Sequence, residues 1–89
     1  MKAIVSVVGH DRVGIIAAVC AKLAEYNINV IDLSQTILNE NFTMVMAVDI
    51  AKMTVSFAEI REILSGLGDE MSLSIHIQRE EIFEAMHTI

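Results

Sequence analysis

The segment Gly9-His10-Asp11-Arg12-Val13-Gly14-Ile15 is polar and glycine-flanked, and it separates two strongly apolar stretches. Residues 2–8 before it are rich in β-branched side chains and predict a buried strand. Residues 15–23 after it predict a helix, because apolar side chains recur there at helical spacing. A strand that leads directly into a helix leaves backbone N–H groups free at the helix start. Those donors and the positive end of the helix dipole suit a carboxylate or another small anion.

Both ends of this first helix carry sequence signals. Asp11 is predicted to cap the start, its carboxylate accepting a hydrogen bond from a backbone N–H two or three residues later. Asn27 is predicted to end the helix, because asparagine tolerates the left-handed conformation that a helix stop requires. The buried side of the helix is expected to carry Ile16, Val19, Cys20 and Leu23.

Two strands are predicted next, at residues 30–38 and 42–51, joined by the turn-forming residues 39–41. The side chains of the later strand alternate strictly between apolar and mixed positions. Its core face is expected to hold Phe42, Met44, Met46, Val48 and Ile50.

Ser56 and Glu59 have the spacing of a capping box and predict the start of a second helix. That helix is predicted to end at Gly66-Leu67-Gly68. Residues 71–78 alternate again and predict a fourth strand. Residues 80–89 follow as a short acidic C-terminal tail, which could form one or two helical turns.

The order strand-helix-strand-strand-helix-strand predicts an α+β fold, the ferredoxin-like βαββαβ sandwich. Right-handed crossovers place both helices on one face of a four-stranded antiparallel sheet. The other face is left open. It is expected to carry Thr43, Val45, Ala47, Ser72, Ser74 and His76, a mixed surface that suits contact with a second protein.

Composition narrows the function classes. The 89 residues make one small domain, and a hydrophobic share of 54% favours pairing with a second copy that covers the excess apolar surface. The net charge is −6 and no basic run exists, which argues against nucleic acid and anionic membranes as partners. A single cysteine, Cys20, fits a reducing compartment, and no secretion signal or spanning segment is evident, so we expect a cytoplasmic protein.

With these elements in place, Asp11-Arg12-Val13-Gly14-Ile15-Ile16 at the first strand-to-helix turn resembles the ACT domain family, whose usual pattern there is Asp-Arg-Pro-Gly-Leu-Leu. The resemblance covers residues 1–79. Within the family, the sequence is similar in particular to the ACT modules of the glycine cleavage repressor and of formyltetrahydrofolate deformylase. Val13 departs from the family pattern, because it keeps the backbone N–H that proline lacks.

The resemblance implies a small regulatory protein that binds an amino acid or similar metabolite where two copies meet. Arg12 would either grip a ligand carboxylate or lie exposed in a surface ion pair. Gly14 would either admit a ligand to the backbone or allow tight packing of helix on strand, and Gly14→Val is expected to abolish binding with the fold largely intact. The ligand contacts are expected at His10, Asp11, Arg12, Val13, Gly14 and Ile15, with Asp32, Ser34 and Gln35 contributed by the partner copy.

Catalytic and metal-binding signatures are missing from the sequence. No nucleophile elbow, phosphate loop or dinucleotide fingerprint is present, and the histidines and Cys20 lack metal-ligand spacing. We therefore expect no enzyme activity, cofactor or metal. The alternative hypothesis is a module that docks on a larger enzyme or regulator and binds no ligand itself.

Overall fold

The computed structural model describes residues 1–10 and 13–81. The predicted order of strands and helices is confirmed. The elements are β1 (Lys2–His10), α1 (Ile15–Glu25), β2 (Asn29–Leu38), β3 (Asn41–Asp49), α2 (Phe57–Met71) and β4 (Leu73–Arg79).

The four strands form one antiparallel sheet in the order β2-β3-β1-β4, so β2 and β4 are its free edges. Both helices cover one face of this sheet, as the ferredoxin-like sandwich requires. The core lies between the layers. Its fully buried large side chains come from both helices and the central strands, among them Ile15, Leu23, Met44, Met46, Ile60 and Leu64.

The alternation of β3 is the clearest match between sequence and structure. Phe42, Met44, Met46 and Val48 are all at most 2% exposed, and Ile50 directly after the strand is 4% exposed. The prediction for the open face is confirmed at Val45 and His76. Both residues are paired with Ser6 of β1, and residues paired directly across a sheet lie on the same face. His76 is also hydrogen-bonded to Ser74, with 2.9 Å between Nε2 and Oγ.

A β-bulge interrupts β2 and changes which of its residues face the helices. The pairing with β3 shifts between Val30 and Asp32, so Ile31 is an extra residue in the ladder. After the bulge, Gln35 is paired with the core residue Met44 and therefore faces the helices. Asp32 and Ser34 are paired with Ala47 and Val45 and face the open side.

The predicted end of α2 at Gly66-Leu67-Gly68 is wrong, because the helix continues to Met71 and ends at Ser72 with φ 58°. Ser72 is thus the helix cap and not an open-face residue. Gly68 is buried in the contact with β4, where an added Cβ would lie 2.6 Å from the Leu73 carbonyl oxygen. This glycine permits a close approach and does not stop the helix.

The remaining boundaries differ by a few residues. Strand β1 continues through Gly9 to His10, and β3 ends at Asp49 and not at residue 51. The tail prediction falls mostly on residues 82–89, which lie outside the described residues. Within residues 1–10 and 13–81, no helix combines the length and the apolar character needed to cross a membrane.

Candidate functional site

The junction between β1 and α1 is built around Gly14. The helix begins at Ile15, and Gly14 is its N-cap with φ 91° and ψ 1°, a left-handed conformation. Gly14 itself has no side chain that could cap the helix start. The prediction that the Asp11 carboxylate caps the helix stays a prediction. Asp11 and Arg12 themselves lie outside the described residues.

The first hydrogen bond of α1 runs from the Ala18 N–H to the Gly14 carbonyl oxygen, over 2.9 Å. The amide N–H groups of Ile15, Ile16 and Ala17 precede it in the first turn, the part of a helix whose N–H groups are not paired by the helix itself. The N–H groups of a helix start and the positive end of the helix dipole attract a negatively charged group. The free amides that the sequence predicts at this junction stay a prediction.

A cavity of about 400 Å³ opens beside these amides, between the start of α1 and the far end of β2. This volume lies in the range of small-molecule sites. Its wall is mostly apolar, and Gln35 is the one polar side chain among the residues that line it. The lining residues are Gly14, Ile15, Ile16, Ala17, Gln35, Ile37 and Phe42.

The absence of a side chain at Gly14 has a conformational cause. An ideal Cβ at this position would meet no atom within 4 Å, so the hypothesis of tight helix-on-strand packing is wrong. The positive φ is what requires glycine, because L side chains are strained in this region. The same lack of neighbours leaves the backbone at Gly14 open toward solvent.

The structure brings together only some of the predicted site residues. Gly14, Ile15 and Gln35 of one protomer share the cavity. Asp32 and Ser34 lie on the open face of the sheet instead, and the Asp32 carboxylate accepts a hydrogen bond from the Leu33 N–H at 2.9 Å. Whether these two residues reach a ligand bound to a second copy stays a prediction.

The other two described candidates lie at the rim of the junction. His10 is the exposed last residue of β1, paired with Asn41 at the start of β3. Val13 is fully exposed, and its side chain lies against no other part of the described chain. Val13 therefore presents an apolar surface next to the start of α1.

Four residues of the cavity were not predicted from the sequence: Ile16, Ala17, Ile37 and Phe42. A usable signal existed for two of them. Gln35 and Ile37 are two residues apart on one strand and must share a face. Phe42 pairs with Ile37 across the hairpin that was predicted at residues 39–41. The bulge at Ile31, which sets the facing of this strand, carries no sequence signal.

Residues 1–10 and 13–81 contain no group of three or more His, Cys, Asp or Glu side chains placed to hold a metal ion. Cys20 is a free, half-buried thiol on α1 that packs against the core. Neither feature adds a chemical function to the junction. The start of α1, with its positive dipole end, lies beside a mostly apolar pocket, an arrangement that suits a small anionic molecule.

Comparison with known proteins places this geometry in a family. The ACT domain model matches residues 2–78. A UPF0237 protein of Listeria innocua is 53% identical over 89 residues, covering 100% of both chains. The solved structure of an ACT domain protein from Streptococcus pneumoniae superposes with a TM-score of 0.82 at 42% identity, covering 94% of each chain.

Two larger proteins contain a similar fold as part of their chains. A formyltetrahydrofolate deformylase of Pseudomonas syringae matches with a TM-score of 0.79 at 25% identity over 88% of this chain and 27% of its own. A candidate glycine cleavage system transcriptional repressor matches with a TM-score of 0.73 at 25% identity over 88% of this chain and 44% of its own. The resemblance expected from the turn at Asp11–Ile16 is confirmed, and the chain belongs to the ACT domain family.

Proposed function

We propose that this protein is a small regulatory module that binds an amino acid or a similar metabolite at the start of α1. The observation that supports the proposal is that the start of α1 lines the cavity with Ile15, Ile16 and Ala17, whose backbone amides belong to the first turn of the helix. A ligand carboxylate would accept hydrogen bonds from these amides. The rest of the ligand would lie against the apolar wall, where Gln35 offers one polar contact.

The site is proposed to lie where two copies of the chain meet. Three exposed apolar side chains belong to the edge strand β2: Ile31 at 49%, Ile37 at 55% and Leu38 at 67% exposure. An edge strand with exposed apolar residues favours pairing with another chain. Ile37 also lines the cavity, so a partner on this edge would close it. Asp32 and Ser34 are then the candidate contacts from the partner copy, and Asp11 and Arg12 remain candidates at the junction.

Titration calorimetry against each common amino acid tests the sensing function. We expect saturable heat for at least one amino acid, and loss of that heat in Gly14→Asn, whose side chain tolerates a positive φ but covers the open backbone. Gly66→Ala is the matched control, because Gly66 is an exposed glycine with no neighbour within 4 Å and lies in α2. A flat response to every amino acid would exclude amino-acid sensing. Sedimentation at several concentrations tests the homodimer separately.

A second function is favoured by the open face of the sheet. Val8 on this face is 48% exposed, and its cross-strand neighbours Thr43 and Ser74 are exposed as well. Such a mixed surface suits docking on a larger enzyme or regulator without any ligand. Affinity capture from cell extract distinguishes the two functions. A stoichiometric partner that still binds Gly14→Asn supports docking, and one that is lost in this variant supports ligand-dependent action.

The proposal assigns no catalytic step to the protein. It places the protein in the cytoplasm, because a single unpaired cysteine fits a reducing compartment.

A further inference from the structure

We propose a second binding site, for the phosphate group of a small soluble metabolite, along the free edge of β4. A cavity of about 440 Å³ lies there between the start of α2 and the end of β4. Strand β4 and strand β2 are opposite edges of the sheet, so this cavity is separate from the one beside Gly14. The inference does not depend on the proposed amino-acid site.

The chain path brings two arginines to this cavity. Strand β4 returns along α2 after the tight turn at Ser72, so the last residue of the strand, Arg79, reaches the first residue of the helix, Phe57. Arg61 follows Phe57 by four residues and therefore lies on the same side of the helix. The guanidinium carbons of Arg61 and Arg79 lie 5.3 and 5.0 Å from the centroid of the Phe57 ring.

The Phe57 ring therefore fixes two positive charges beside one cavity. Cation–π contacts at these distances orient the guanidinium groups and use none of their N–H donors on an acid. Arginine donors have the planar geometry that phosphate and carboxylate oxygens match in pairs. Within residues 1–10 and 13–81, the donors of both side chains are not engaged in a salt bridge.

The charge balance around the two arginines is unusual for this chain. The chain has twelve acidic and six basic residues, and two of those six meet here. Within residues 1–10 and 13–81, no carboxylate oxygen lies within the 4.0 Å salt-bridge distance of either guanidinium, whereas Lys22 and Glu25 of α1 do form such a pair at 3.5 Å. Glu80 and Glu81 line a neighbouring cavity, which Arg79 also borders.

The charge of the site selects among anions. A phosphomonoester carries a charge of about −1.5 to −2 at neutral pH, which two arginines neutralise. A single carboxylate would leave one arginine uncompensated. The net charge of −6 works against an anionic membrane surface, so a soluble phosphate compound is the better match.

Neutral donors complete the site. Because β4 is an edge strand, alternate backbone N–H groups along it point away from β1 and toward the free edge. Ile77 is buried beneath the cavity and gives it an apolar floor. The site therefore combines charged donors, backbone donors and an apolar surface, as small-molecule sites commonly do.

The test is a titration of the full chain with inorganic phosphate, in which binding is monitored by NMR chemical shifts and by calorimetry. We expect saturable shifts at Arg61 and Arg79, and Arg61→Gln and Arg79→Gln are each expected to weaken phosphate binding roughly tenfold or more. Lys52→Gln is the control, because it removes the same charge from an exposed position outside this cavity. Its affinity should stay within roughly twofold, since distant surface charges are screened.

Further arms make the result decisive. Arg79→Lys keeps the charge and the fold but loses the paired donors, so it should also weaken binding, whereas Gly14→Asn should not. The proposal is overturned if phosphate produces no saturable shifts, if Lys52→Gln weakens binding as much as Arg61→Gln, or if acetate binds as tightly as phosphate. Binding to anionic vesicles without binding to free phosphate would also overturn it. Circular dichroism of each variant confirms that the fold is retained.

Discussion

Gly68 in α2 and Leu73 in β4 lie so close that an ideal Cβ on Gly68 would be 2.6 Å from the Leu73 carbonyl oxygen. The contact is with backbone, which cannot move aside as a flexible side chain can. This pair sets how closely the second helix packs on the edge strand, and it explains why a glycine stands in the last helical turn.

Gly68→Ala is therefore expected to lower the free energy of unfolding by about 1–3 kcal/mol through overpacking. Gly66→Ala in the same helix meets no atom within 4 Å and should raise it by about 0.5–1 kcal/mol. Urea denaturation of both variants measures the difference. Equal effects of the two substitutions would show that the close approach does not constrain the helix.

Gly14 predicts a different kind of cost, since its surroundings are empty and its φ is +91°. Gly14→Ala should lose about 1–2 kcal/mol from backbone strain alone, and Gly14→Val should lose more because a β-branched side chain is less tolerant of this region. This corrects the expectation that Gly14→Val leaves the fold largely intact. Val13→Ala is the control, with an expected change within about 0.5 kcal/mol at a fully exposed site.

The capping box of α2 gives a third prediction. The Glu59 N–H donates to Ser56 Oγ at 3.1 Å, and the Ser56 N–H donates to Glu59 Oε1 at 3.4 Å. Ser56→Ala should lower the free energy of unfolding by about 1 kcal/mol, because the Glu59 N–H loses its acceptor Oγ. Ser65→Ala, an exposed serine inside the same helix, should be neutral or slightly stabilising, since alanine has the higher helix propensity. In thermal unfolding, the Tm of the two variants should shift in opposite directions, or the two shifts should differ clearly in size.

Asp49 links stability to pH. The Ala51 N–H donates to its carboxylate at 2.9 Å, and this bond, aided by the N-terminal ammonium group 3.7 Å away, holds the pKa of Asp49 below its ordinary value of 3.8. Because its pKa is lowered in the folded state, the Asp49 carboxylate stabilises the fold at a pH above its ordinary pKa. This contribution is lost as the pH falls through the lowered pKa. Asp49→Asn should therefore make the acid-induced loss of stability shallower below pH 3.8. An NMR titration that finds the Asp49 carboxyl at or above its ordinary pKa would contradict this.

Much of the fold follows from local sequence rules. The alternation from Phe42 to Val48 determined both the strand and its buried face, because side chains on a strand have a period of two. Ser56 and Glu59 determined the start of α2, since a capping box acts within one helical turn. Asn27 ends the first helix with φ 60°, as its side chain predicted.

The tertiary structure decided what depends on residues distant in the chain. In the sequence, Gly68 has the pattern of a helix stop, but in the structure it allows Leu73 to pack closely against α2. Gln35 lines the same cavity as Gly14 only because the bulge at Ile31 changes the facing of its strand. Arg61 and Arg79 meet over Phe57 because β4 runs back along α2. Sequence patterns report the period of one element, whereas these contacts depend on register, strand order and the distance between layers, which are set only when the elements pack.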